Sequence, residues 1–186
     1  MALARLKSIV TGCAIAVACG LAVAGCGEEP GLEEPAREGL AIDIGGIDYD
    51  VYITRQLNLA IPPDEAYYDG PPAEPGHALY GIFIEVCNND SEEALTSTDD
   101  FVVEDNQGNE FEPIDLPEEN PFAYQPRELV KEDCIPEEGS VAEQGPVSAS
   151  MLLFDFPLEN TENRPLELII SPPAGGGEPK RVELDL

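Results

Sequence analysis

The stretch Ile47-Asp48-Tyr49-Asp50-Val51-Tyr52-Ile53-Thr54 decides the fold. Apolar side chains recur at every second position, at Ile47, Tyr49, Val51 and Ile53, with Asp48 and Asp50 between them. Successive side chains of a strand point to opposite faces, so this period marks a half-buried strand with those four residues toward the core. Downstream lies a long loop from Ile61 to Ala78 holding Pro62, Pro63, Pro71, Pro72 and Pro75. Loops of that length within a compact domain are either functional or mobile. Leu79 to Asn88 reads as the second strand, with Tyr80, Ile82, Ile84 and Val86 facing the core and Cys87 on the opposite face. Phe101-Val102-Val103-Glu104-Asp105 and Glu110-Phe111-Glu112-Pro113 flank Asn106-Gln107-Gly108-Asn109, the turn residues of a hairpin tip. Leu116 to Gln144 is irregular, with one helical turn expected around Arg127 to Lys131. The most apolar piece, Val147 to Phe156, is stopped by Pro157. Leu166 to Ser171 and Arg181 to Leu186 form a last pair of strands across the Pro172 to Gly177 turn. About seven short strands with polar turns and no long helix predict an all-β sandwich.

The N-terminal end has another character. Arg5 and Lys7 precede an uncharged stretch from Ser8 to Gly25, as in the charged and apolar regions of a secretory signal peptide. It closes on Val23-Ala24-Gly25-Cys26 and so resembles the signal peptides of bacterial lipoproteins, whose cysteine is lipidated and becomes the new N-terminus. The resemblance implies lipidation of Cys26 with at least two acyl chains, since one chain binds a bilayer only marginally. The apolar run is about eighteen residues, short of the ~20 that a spanning helix needs. The chain is therefore expected to be tethered to a membrane, facing the periplasm or cell exterior, without crossing it. Residues 27–40, GEEPGLEEPAREGL, show no alternation and read as a disordered acidic linker. Extended as polyproline II, it would reach about 40 Å. The resulting division is a signal peptide over 1–25, lipidated Cys26 and a flexible linker to residue 40, and the sandwich over 41–186.

Charge narrows the partners. Removing residues 1–25 takes away Arg5 and Lys7 but no acidic residue, which moves the formal net charge from −29 to −31. Nucleic acid is excluded as a partner, because its phosphates need Lys and Arg to displace their counterions. An anionic leaflet would repel the domain as well. Cysteine usage is equally informative. Cys13 and Cys19 leave with the signal peptide, and Cys87 and Cys134 remain as an even pair in an exported chain. A disulfide is expected in that compartment, worth about 4 kcal/mol by loop closure, against the alternative of two separately buried thiols. Zinc is set aside because neither cysteine has a CxxC partner or a nearby His.

Three pieces also resemble a family of bacterial lipoproteins with an immunoglobulin-like (telokin-like) extracellular domain of unknown function. Phe101 to Pro113 is similar to that family's F-x-L-x-D-x-x-G-x-x-Y-x-P hairpin. Ile84 to Leu95 resembles its strand ending in an Asn-rich turn, and Leu152-Leu153-Phe154-Asp155-Phe156-Pro157 its L-V-F-x-V-P strand. The likeness spans Ile47 to Leu186 and implies an immunoglobulin-like β-sandwich. Ser150 stands where the family usually has Gly, while the Cys87/Cys134 pair and the proline-rich loop are outside its general pattern. The family brings no catalytic residues.

Candidate chemistry is sparse. Asp105 to Glu110 (DNQGNE) invites a calcium reading, but its Gly falls at the fourth position and the spacing to a Glu differs from the EF-hand. His77, the one imidazole, sits in a Pro/Gly loop without an adjacent nucleophile. No G-x-S-x-G, H-E-x-x-H or C-x-x-C occurs, so no catalytic residue, metal or cofactor is assigned. Tyr67 and Tyr68 on the long loop are candidate partner contacts, because interface hot spots often use Tyr. The other outcome is that they fold back over a sheet face. The expected function is a non-enzymatic binding domain for an envelope or extracellular protein. A calcium-dependent adhesion or sensing module using Asp99 to Glu110 is the alternative, with a carboxylate-based enzyme a remote one.

Overall fold

The computed structural model describes residues 29–173 and 177–186. The expected signal peptide, Cys26 and most of the glycine turn before the last strand lie outside the described residues. In chain order the strands are β1 Ala36–Arg37, β2 Ile42–Ile44, β3 Ile47–Gln56, β4 His77–Asn88, β5 Leu95–Thr96 and β6 Phe101–Asp105. They continue with β7 Glu110–Phe111, β8 Glu128–Leu129, β9 Asp133–Ile135, β10 Ser150–Pro157, β11 Leu166–Ile170 and β12 Lys180–Glu183. Among the described residues helix is confined to two short 3-10 turns, Asp64–Ala66 and Asn160–Glu162. Among the described residues no helix is long and apolar enough to cross a membrane.

The expected all-β sandwich forms. One sheet has the order β1-β12-β11-β6-β7, and the other β10-β4-β3-β2 with β9 also paired to β4. A small β5–β8 pair stands apart. Among the named strands of the described residues, β1 and β12 form the one parallel pair. Tyr49, Val51, Ile84 and Phe154 from one sheet meet Val103 and Leu168 from the other in a core with no measurable exposure. Alternation does what it should here, because each sheet presents one apolar face and burying both removes them from water.

A bulge changes the parity of β3. Val51 pairs with Ile84 but Ile53 already pairs with Phe83, so Tyr52 is the extra residue. Ile53, expected on the core face, is instead 40% exposed, and Thr54 turns inward at 4%. In β4 the expected inner residues Tyr80, Ile82, Ile84 and Val86 are buried, yet so are Leu79 and Phe83 on the outer face. They belong to a second apolar cluster with Tyr67, Phe122, Met151 and Leu153. Both faces of β4 and β10 are therefore covered, which explains why these two strands read as nearly continuous apolar runs.

Cys87 and Cys134 are bonded across β4 and β9, with Cα atoms 4.2 Å apart. The bridge lies on the outer face, as the parity of β4 predicts, and staples the short β9 to the sheet. Arg127 fixes the same place. It forms a two-pronged ion pair with Asp133, at 2.5 and 2.9 Å, and donates to the Cys134 carbonyl at 2.8 Å.

Two further expectations need correction. The helical turn around Arg127 to Lys131 is absent, for Glu128–Leu129 pairs with Leu95–Thr96 and Leu129 is wholly buried. The linker is not disordered from Glu29 onward. Ala36–Arg37 pairs with Val182–Glu183, Arg181 N donates to the Gly31 carbonyl at 2.8 Å, and Ala36 is 4% exposed. Alternation cannot reveal this segment, because it docks through backbone groups and basic side chains rather than an apolar stripe. Lys180 pairs with Glu29 at 3.2 Å, and the Arg181 guanidinium donates to the carbonyls of Leu32 and Glu33.

The sandwich has two distinct ends. The Gly45–Gly46 turn, the Asn88–Glu93 loop, the Lys131–Asp133 turn and the start of β12 lie at one. At the other are the end of β3, the start of β4, the hairpin tip 106–109 and the Asn160–Glu162 turn.

Candidate functional site

The long loop builds the second of these ends. Beyond Gln56, Leu57 N still donates to the Leu79 carbonyl at 2.8 Å, which carries the β3–β4 ladder one step past the strand. The chain then turns around Asp64, whose buried carboxylate accepts from Asn58 N at 2.8 Å and from the Arg55 guanidinium. Tyr67 follows at 1% exposure, its ring set edge-on against Phe83 and Phe122 at centroid distances of 4.9 and 4.8 Å. Asn120 donates to the Tyr67 carbonyl at 2.9 Å. Tyr67 is therefore an internal plug, and its assignment as a partner contact is corrected: the ring covers the outer face of β4. Tyr68 is half-buried and packs against the same cluster. The proline-rich loop is thus pinned in place.

Its returning limb leaves a gap. Residues 56–60 and 72–79 enclose a cleft of about 550 Å³, with Leu57, Leu59, Ala60, Pro72 and Ala73 forming walls. Gln56, Asn58 and His77 supply the polar groups. His77 Nδ1 lies 3.0 Å from Asp155 Oδ1, which orients the ring. No Asp or Glu lines the cleft, although the chain contains 38 of them. No Ser, Thr or Cys lines it either, so His77 has no nucleophile beside it to activate. The cleft's lining is about as polar as it is apolar and it opens to solvent, and its volume falls within the range of small-ligand sites. The length of the Ile61 to Ala78 loop points to this region, but not to the cleft itself, because its two limbs and Asp155 come from three separate segments.

The sequence-selected acidic loop has a different role. Asp105, 3% exposed, accepts five hydrogen bonds. Gln107 N and Asn109 N bind Oδ1 at 2.9 Å, while the side-chain amides of Asn109, Asn160 and Asn163 bind Oδ2 at 2.8 to 3.0 Å. Burial pushes this carboxyl up, but the donors outweigh it and hold the pKa well below the usual carboxylate range. The carboxylate is thus turned toward N–H groups of the protein, and it ties the hairpin tip to the Asn160–Glu162 turn. Among the described residues no group of three or more His, Cys, Asp or Glu side chains is placed to hold a metal ion.

A carboxylate pair escaped the sequence reading. Asp50 and Glu85 are direct partners across β3 and β4, and Tyr52 donates to Glu85 Oε2 at 2.5 Å. Burial first, and then the Glu85 charge, push the Asp50 carboxyl up. Asp50 Oδ1 is buried without a hydrogen-bond partner. Its position beside Tyr49 in a plain alternating run makes it look like any solvated strand residue, and only the cross-strand register shows otherwise.

Fold and cleft define a β-sandwich domain with a ligand-sized recess at one end. No protein-family model matches the chain, and no curated protein matches its sequence. Among solved structures it is similar to the yjhA protein from Bacillus subtilis, at a TM-score of 0.48 and 11% sequence identity. That alignment covers 81% of this chain and 99% of the other.

Proposed function

We propose that this chain is a non-enzymatic binding domain, held by a lipid on Cys26 at the outer side of a membrane, that takes its partner at the His77 end. The observation that carries the binding reading is the cleft between residues 56–60 and 72–79. No carboxylate is among its lining residues in a chain of net charge −29, although Asp155 stands behind His77, so a ligand there meets less of the negative field than at the acidic loops. The Val23-Ala24-Gly25-Cys26 run supports the anchor, and the Cys87–Cys134 bond suits an oxidising, extracytoplasmic compartment. The cation-dependent alternative draws no support from Asp105, whose oxygens are taken by N–H donors.

The test pairs the wild-type fragment from Glu29 with its Ala60→Trp variant, which fills the cleft from an exposed position. Both are immobilised and exposed to envelope extract of the native cells. A protein retained by the wild type and lost with Ala60→Trp, at unchanged melting temperature, supports the reading. Equal retention by both, or by neither, counts against the cleft. Labelled palmitate incorporation, compared with Cys26→Ser in the full chain, tests the anchor separately.

A further inference from the structure

The anchor and the start of the folded domain are nearly adjacent. Only Gly27 and Glu28 separate Cys26 from Glu29, which is already paired with Lys180. Three Cα-to-Cα steps span at most about 11 Å, against the ~40 Å expected of a free linker. Residues beyond Glu29 cannot be paid out as slack while they stay docked. Arg181 N holds the Gly31 carbonyl, the Arg181 guanidinium reaches Leu32 and Glu33, and Ala36–Arg37 is paired into the sheet. Glu29 and Lys180 border a shallow hollow with Asp43, Ile44 and Gly45. The chain therefore emerges at the Gly46 end of the sandwich.

We propose that the domain stands directly on the bilayer with its Gly46 end against the headgroups and its cleft turned away from them. The proposal rests on the lipid anchor at Cys26 and adds the surface that meets the lipid. β4 runs from one end to the other, and its twelve residues at about 3.3 Å each place the cleft some 35 Å from the Gly46 end. The membrane-facing end carries Asp43, Asp90, Glu92, Glu93, Glu132 and Glu178, and only in part is this charge countered, by Lys131 on Glu92 and Lys180 on Glu29. Such a surface fits zwitterionic headgroups and is repelled by anionic ones.

The chain contains no Trp, so single Trp residues report position cleanly. Val130, 58% exposed at the Gly46 end, and Ile61, 52% exposed at the cleft end, are suited to replacement. Full-length lipidated Val130→Trp and Ile61→Trp proteins are reconstituted in phosphatidylcholine vesicles containing a lipid with a nitroxide on its headgroup. Flotation is checked against Cys26→Ser. The expected result is loss of most emission from Val130→Trp and none from Ile61→Trp. Inserting a Gly-Ser segment with a reach of about 20 Å after Gly27 should restore the emission of Val130→Trp. Flotation that depends on Cys26, with equal quenching of both variants, overturns the seating alone. Absence of Cys26-dependent flotation overturns the anchor and the seating together.

Discussion

Asp105 and Asp50 are both strand carboxylates, and their surroundings drive them in opposite directions. Asp105 faces five N–H donors, so the folded state favours its ionised form. Its contribution to stability is complete above the ordinary carboxylate value near 4 and is lost as pH falls below that value. Asp105→Ala should cost about 3 kcal/mol near neutral pH, since charge-assisted hydrogen bonds are worth ~1.5–3 each but do not add. Urea midpoints across the acid range should show the gap between wild type and variant closing below about pH 4. A gap independent of pH would mean that the carboxylate charge is not what the donors hold. Asp50 has the reverse sign. Burial and the opposing Glu85 raise its pKa, so the folded state holds this proton more tightly than the unfolded chain does. Its contribution worsens as pH rises through that raised value and recovers as pH falls toward the ordinary one. Asp50→Asn should therefore stabilise the protein by about 1 kcal/mol near pH 7, with an amide able to donate to Glu85. The gain should vanish near pH 4, where the wild-type carboxyl is itself protonated. A variant no more stable than wild type at neutral pH would show that Asp50 carries no such burden.

Elements show where alternation works and where it stops. Ile47, Tyr49 and Val51 lie inward as their spacing predicts, and the rule fails at Ile53 because a single bulged residue inverts everything after it. No local composition marks that bulge; it follows from how β3 must meet β4. The cysteine pair was legible for the opposite reason, since an even pair left after the expected signal peptide, together with the parity of β4, points to a bridge on the outer face. Joining β9 to β4 closes a loop of 47 residues in sequence. Replacing both cysteines, as Cys87→Ser with Cys134→Ser, should lower the unfolding free energy by about 4 kcal/mol if the loop entropy is fully realised. The Arg127–Asp133 clamp holds the same strand independently, so the double variant should still fold. Denaturant melts of the oxidised wild type and the double variant measure the difference, and reductant should move only the wild type. An unchanged midpoint in the variant would show that the clamp alone holds β9.

At the scale of the whole molecule, the cleft and the docked N-terminal segment were invisible to local reading for one shared reason. Each is built from segments far apart in sequence, and neither follows an apolar period: the cleft joins residues 56–60 to 72–79, and the segment joins residues 29–37 to 180–183. The segment also covers an edge. β12 pairs with β11 on one side and with β1 on the other, so without residues 29–37 one side of β12 loses its backbone partners. A fragment beginning at Ala41 forfeits the hydrogen bond from Arg181 N to Gly31, the Ala36 burial and the contacts of Lys180 and Arg181. With backbone hydrogen bonds worth ~1 kcal/mol each net, the fragment should be about 2–3 kcal/mol less stable than one beginning at Glu29. It should also self-associate more readily through the bared strand, although a high negative charge opposes that. Urea melts and sedimentation of the two fragments separate these effects. Equal stability would return residues 29–40 to the status of a linker and lengthen the leash from the proposed anchor at Cys26, so the same melts bear directly on the proposed seating of the sandwich on a bilayer.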